Sequence, residues 1–237
     1  MRASFVWFDL GYTLVYQQRE EAYGQFLRER GIELGHAEIE RAYHVTDKLF
    51  MREYRGVLGR PPTTFMTWYL GVLNHQLGVS FNLGEQRQRL EDIQNERGKR
   101  WIGFPYAKSV LRELKERSVG VGLISNWDGS ARQVLQDNEL IEAFDHVVVS
   151  SEVGIEKPSP RIFAHALRLA DVAAEECLYV GDNYYDDVIG SAKAGMDAVL
   201  INRFGQLGIE ELNYRLTVPT IEAVPELLST HTRRQLL

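Results

Sequence analysis

The stretch Ser4-Phe5-Val6-Trp7-Phe8-Asp9-Leu10-Gly11-Tyr12-Thr13 decides the fold. Residues 4–8 read as a buried strand, short and continuously apolar and aromatic from Phe5 on, and it stops at an aspartate and a glycine. Outward from this strand the chain changes character twice. Residues 17 to about 100 are rich in Glu, Arg, Gln and Leu, with apolar residues at helical spacing: Tyr23, Phe26 and Leu27, then Ile39, Tyr43, Leu49 and Phe50. Gly31, Gly35 and the Gly/Pro-bearing stretches 56–62 and 78–84 divide this block into about four helices. After Phe104-Pro105, strands at 119–124, 146–149, 178–180 and 198–201 alternate with helical patterns near 110–114, 130–135, 160–169 and 188–194. Such alternation implies a parallel sheet with right-handed crossovers and helices on both faces. The expected architecture is α/β: a Rossmann-like, doubly wound core of residues 1–15 plus 101–237, interrupted by an all-helical cap at 16–100.

Composition narrows the function classes. The 237 residues carry a formal net charge of −6, which disfavours a general nucleic-acid or membrane-surface binder, because both partners are polyanions. A small phosphorylated ligand is compatible with that charge, since a metal or a local positive site holds an anion inside an acidic protein. The single cysteine, Cys177, sits in an apolar run and reads as a buried, inert thiol. With no disulfide framework, no signal-like leader and no run long enough to span a bilayer, a cytoplasmic location is expected. The oligomeric state is left open.

Ligands of open parallel sheets gather beyond the carboxyl ends of the strands. Asp9 to Thr13 follow the first strand, and Ser125-Asn126-Trp127-Asp128 the second. Glu152 to Pro158, with Lys157, follow the third, and Gly181-Asp182-Asn183, with Asp186 and Asp187 close behind, the fourth. This set suits phosphoryl transfer. A carboxylate attacks phosphorus, while a hydroxyl, an ammonium and a metal held by carboxylates stabilise the charged transition state. Taken singly each residue has a plainer reading: Asp9 a turn residue, Ser125 a helix cap, Lys157 a loop lysine, Asp187 a first-turn acid that complements a helix dipole. The joint pattern lifts them above those readings.

These four segments, in this order and with a helical insert after the first strand, resemble the four motifs of the haloacid dehalogenase superfamily. The resemblance covers the whole core and is specific to superfamily, not to substrate. It implies a Mg²⁺-dependent hydrolase, a phosphatase before any other, acting on a small phosphorylated substrate. Position by position, Asp9 resembles the nucleophile and Ser125 and Lys157 the catalytic phosphate-contacting pair. Thr13 and Asn126 are grouped with substrate binding. Asp9, Asp182, Asp187 (with Asp186 a close competitor) and the backbone carbonyl of Gly11 resemble the metal ligands.

One departure matters. Phosphatases of this superfamily usually carry an acid two residues after the nucleophile, and here that residue is Gly11, with Thr13 holding the register. The missing proton donor leaves two alternatives beside a phosphatase: a non-catalytic phosphate-ligand sensor or scaffold, and a metal-independent, dehalogenase-like hydrolase. Tyr12, Asp128, Asp186 and His44 are candidates for the missing acid.

In the helical block, Arg41, His44, Lys48 and Arg52 recur at three- or four-residue spacing, a basic stripe that reads as a solvated face before it reads as a collar for an anionic substrate. Trp127, Tyr184 and Tyr185 are expected in active-edge loops, Trp68 in the core of the helical block, and Arg97, Lys99 and Arg100 at the hinge.

Overall fold

The structure, a computed structural model, describes residues 3–98 and 101–229. The expected first strand, β1, is Phe5–Phe8, and all four residues are buried. The chain then enters four helices: α1 (Arg19–Arg28), α2 (His36–Glu53), α3 (Met66–Gln76) and α4 (Leu83–Glu96). It returns to add β2 (Gly120–Ser125), β3 (His146–Val149), β4 (Cys177–Gly181), β5 (Asp197–Ile201) and β6 (Thr217–Val218). These six strands form one sheet in the order β3-β2-β1-β4-β5-β6, parallel throughout. The two-residue β6 carries too little pattern to be read from sequence. Helices at Ala107–Glu116, Ala131–Asp137, Pro160–Ala170 and Ile189–Lys193 fill the crossovers.

The apolar run of β1 is explained by its place. It is central, pairing with β2 on one side (Phe8 opposite Leu123) and β4 on the other (Phe8 opposite Val180). From β1 the chain builds outward to β3 and then crosses back to β4, so the strand order reverses beside β1. That reversal is where α/β sheets place ligands. The aromatic side chains of β1 have room because β2 carries Gly122: a carbon added there would lie 2.3 Å from the Trp7 ring.

Two compact units divide the chain: residues up to 16, 103–206 and from 211 on; and residues 17–102 with 207–210. The boundaries expected from sequence lie at 15/16 and 100/101, with 207–210 in the core. Within the helical unit, this short segment lies on α2: the Leu207 carbonyl is 3.0 Å from His44 Nε2, and Gly208 packs against Lys48.

The core of the helical unit is Tyr23, Phe26, Ile39, Phe50, Leu70 and Ile93. Its buried amides, the Tyr23 and Tyr69 hydroxyls and Asp47 are paired, as desolvation demands. Tyr23 donates to Asn74 Oδ1 at 2.5 Å, and the Asn74 and Gln86 amides exchange hydrogen bonds of 2.8 and 3.0 Å. Arg19 pairs with Asp47, whose Oδ1 also accepts from Tyr69 at 2.6 Å.

Two expectations for this unit fail. The basic stripe on α2 is not a solvated face: Arg41 is exposed, but Lys48 is buried and His44 is half-buried and bonded to Leu207. Segment 207–210, distant in sequence, packs there. Trp68 is not in the core either; it is 39% exposed and stacks edge-on with Tyr54 at 4.6 Å. Of the expected hinge cluster, Lys99 and Arg100 lie outside the described residues.

Candidate active site

The sheet register brings three strand ends together. Asp9 directly follows β1, its N–H donating to the Val180 carbonyl at 2.9 Å; Ser125 closes β2; Asp182 follows β4. Ser125 Oγ donates to Asp9 Oδ1 at 3.1 Å. Lys157 reaches the same oxygen from the loop after β3, Nζ to Oδ1 2.7 Å.

Lys157 is the centre of the cluster. Its ammonium has three protons and three acceptors: Asp9 Oδ1 at 2.7 Å, Asp187 Oδ1 at 2.7 Å and the Tyr179 hydroxyl at 3.0 Å. The lysine is only 5% exposed and Asp187 1%. Burial alone would push the ammonium toward neutrality, but Asp187 and Asp9 outweigh it and hold Lys157 well above its ordinary pKa.

Asp187 is fixed by local chain geometry. Tyr184–Val188 form a single π turn, a device concentrated at functional sites. Asn183 caps it, accepting from Tyr185 N at 3.0 Å and Asp186 N at 3.3 Å. The second oxygen of Asp187 accepts from Asn183 N at 2.9 Å. The sequence reading placed a helix over 188–194; the π turn precedes that helix and turns two successive aspartates inward. Gly181 makes room for Asp187, since a carbon added there would sit 2.2 Å from Asp187 Oδ2.

Asp9, partly buried Asp182 and Asp187 each offer a carboxylate oxygen within 4.8 Å of one another. Three carboxylates face one ammonium, leaving an excess of two negative charges. Asp186 lies beside them: its Oδ2 accepts from Asn183 Nδ2 at 3.0 Å, but buried Oδ1 has no hydrogen-bond partner. Burial, with Asp187 beside it, pushes Asp186 up to about 7. An all-oxygen donor set with this charge fits a hard divalent cation.

The remaining expected site residues divide. Gly11 lies in the turn after β1, its backbone bridged to Val15. Thr13 is buried beside it, but its hydroxyl has no partner; the loop is held instead by main-chain bonds from Leu14 and Val15 to the Leu10 carbonyl, 2.9 and 3.1 Å. Asn126, expected to bind substrate, spends both ends of its amide on the Lys157 backbone: Lys157 N donates to Oδ1 at 2.7 Å and Nδ2 donates to the Lys157 carbonyl at 2.9 Å. It clamps the lysine loop. Tyr184 packs on Tyr185 and Tyr214, and Trp127 Nε1 bonds to Ser130. From sequence, Asn183 is placed in the fourth strand-end segment without its capping role, and Tyr179 is given no role. Tyr179 sat unremarked in an apolar run, although a hydroxyl in a buried strand needs a partner and that need was the available signal.

Comparison with known proteins shows the family. Residues 37–201 match the family model described as haloacid dehalogenase-like hydrolase. The chain belongs to that family. Among relatives of this hydrolase-family chain, the glyceraldehyde 3-phosphate phosphatase of Methanothermobacter thermautotrophicus is 39% identical over 105 residues, 42% of this chain and 44% of that protein. The chain thus spans less than half the length of that relative. Human haloacid dehalogenase-like hydrolase domain-containing protein 3 is 30% identical over 190 residues, 76% of this chain and 74% of that one. In fold, the magnesium-bound YfnB protein of Bacillus subtilis superposes with a TM-score of 0.66 over 97% of this chain and 100% of that one, at 18% identity. Among the described residues of this family member, no helix is long and apolar enough to cross a membrane.

Proposed function

We propose that this protein is a Mg²⁺-dependent phosphatase of small phosphate monoesters that works through an aspartyl-phosphate on Asp9. The observation that carries the reading is the Lys157 ammonium bridging Asp9 and Asp187, with Asp182 within reach of both. Asp9, Asp182 and Asp187 would hold Mg²⁺, which when bound supplies positive charge against the phosphoryl oxygens. Phosphatase names among the relatives and the magnesium in the Bacillus protein support this choice. The excess of carboxylates over cations favours it over a metal-independent dehalogenase.

Ser125 and Lys157 both grip Asp9 Oδ1, which fixes the plane of the carboxylate and leaves its other oxygen to attack phosphorus. As the new bond forms, the P–O bond to the alcohol breaks, and Ser125 and Lys157 redirect their protons to the phosphoryl oxygens. Gly11 offers no proton, so the departing alkoxide takes one from water. A second water then attacks the aspartyl-phosphate, releasing inorganic phosphate and regenerating Asp9.

The test is hydrolysis of p-nitrophenyl phosphate, a substrate whose leaving group needs little acid help. Turnover should require Mg²⁺, vanish with EDTA and vanish in Asp9→Asn. A folded, Mg²⁺-binding wild type that turns over no phosphate ester would mark the protein as a sensor instead.

A further inference from the structure

Every proton of the Lys157 ammonium is directed by an acceptor, and only one of the three acceptors is neutral. That acceptor is Tyr179, a buried tyrosine in the middle of β4. Its hydroxyl donates to the Ile124 carbonyl on β2 at 2.8 Å and accepts from Lys157 Nζ at 3.0 Å. Its own proton is committed to Ile124, so its lone pair faces the lysine. Its ring is held by Phe163, edge to face with centroids 5.3 Å apart.

From this geometry we infer that Tyr179 is a positioning residue: its hydroxyl, anchored on the Ile124 carbonyl, sets the rotation of the Lys157 ammonium so that the other two protons point at Asp9 and Asp187. The inference rests on the phosphatase reading for its kinetic consequence, but not for its structural one. An ammonium on a four-carbon stem has no preferred direction of its own. Each acceptor adds to the barrier against rotation about the Cε–Nζ bond, and with all three protons bonded the ammonium is held most firmly. The hydroxyl's hydrogen bonds go to Lys157 and the Ile124 carbonyl, so its effect on the carboxylates passes through Lys157.

Tyr179→Phe removes the hydroxyl and keeps the ring that packs on Phe163. The first measurement is NMR of the Lys157 ammonium in ¹⁵N-lysine-labelled protein, which needs no turnover. Wild type should show a slowly exchanging Nζ signal, and Tyr179→Phe should speed that exchange about tenfold or more. The second is kinetics on p-nitrophenyl phosphate with Mg²⁺: kcat should fall about tenfold while KM stays within about twofold, the mark of an interaction that matters in the transition state. A third compares Tyr179→Phe in wild-type and Lys157→Met backgrounds by urea unfolding. There the tyrosine should lose about tenfold of its effect on the unfolding constant once the lysine is gone. If Lys157→Met does not fold, the NMR result decides.

Unchanged ammonium exchange in Tyr179→Phe, or an equal fall in stability in both backgrounds, would reduce Tyr179 to a packing residue and overturn the inference. A wild type without phosphatase turnover, in which Tyr179→Phe still accelerates exchange, would overturn the phosphatase reading and leave the positioning role standing.

Discussion

Gly181→Ala tests whether the site depends on the close approach of β4 to the π turn. A methyl at this position would lie 2.2 Å from Asp187 Oδ2, 2.4 Å from its Cγ and 2.9 Å from its Cβ. Non-bonded carbon contacts settle near about 3.5–4.0 Å, so the carboxylate must retreat by on the order of 1 Å. It cannot do so by a rotamer change alone, because its own Cβ is among the crowded atoms. Nor can the backbone slide freely, because Asp187 N donates to the Asn183 carbonyl at 2.8 Å. The retreat therefore lengthens the 2.7 Å contact to Lys157 or the 2.9 Å bond from Asn183 N. Overpacking a filled interior costs about 1–3 kcal/mol, and fully unpairing a buried charge about 3–5 kcal/mol. Partial displacement should fall at roughly 2–4 kcal/mol, a drop in Tm of about 4–16 °C for a chain of this size. Because Asp187 holds Lys157 and belongs to the proposed metal site, turnover should fall about a hundredfold with that displacement. The assay is thermal unfolding followed by circular dichroism, beside p-nitrophenyl phosphate kinetics. Gly129→Ala is the control, since nothing lies within 4 Å of its added carbon. A Gly181→Ala protein with unchanged Tm and turnover within about twofold of wild type would refute the reasoning.

Three further outcomes are expected. Gly11→Asp should restore the missing proton donor: hydrolysis of alkyl phosphates should rise by roughly 10²-fold or more and p-nitrophenyl phosphate far less, so equal gains on both would show that the acid is not what Gly11 lacks. Asn126→Ala should leave the buried Lys157 N–H and carbonyl unpaired, lower stability by about 1–3 kcal/mol and reduce kcat; an unfolding midpoint equal to wild type would show that the clamp is dispensable. His44 should make stability depend on pH. Burial first, and then the Lys48 charge, lowers it from 6.5 to about 4 in the folded protein. Between those values the unfolded chain binds a proton that the folded chain does not, so stability present above pH 6.5 is lost as the pH falls toward 4, by up to about 1.4 kcal/mol per pH unit. Asp186, raised to about 7, acts with the opposite sign over the same window, so the test is the difference: His44→Gln should remove a positive contribution to the slope in urea titrations, and a slope identical to wild type would refute it.

Much of this protein is legible before any coordinates. A strand buried on both faces must be continuously apolar, so Phe5–Phe8 announces itself, and the strand–helix alternation after residue 104 follows from the parallel connections that such a strand requires. Because a parallel sheet sends its loops to one edge, Asp9, Ser125, Lys157 and Asp182 can be gathered from sequence order alone. Contacts between side chains distant in sequence are a different matter. Tyr179 reads as one more apolar strand residue until β2 lays the Ile124 carbonyl beside it. The different surroundings of neighbouring Asp186 and Asp187 come from a π turn: Asp187 takes Lys157 and the Asn183 N–H, while Asp186 keeps an unpaired oxygen. The basic stripe of α2 looks solvated in a local window and is covered by residues 207–210, more than 150 positions later. Periodicity records which face of an element is buried, whereas the identity of what buries it is set by packing that no local pattern encodes.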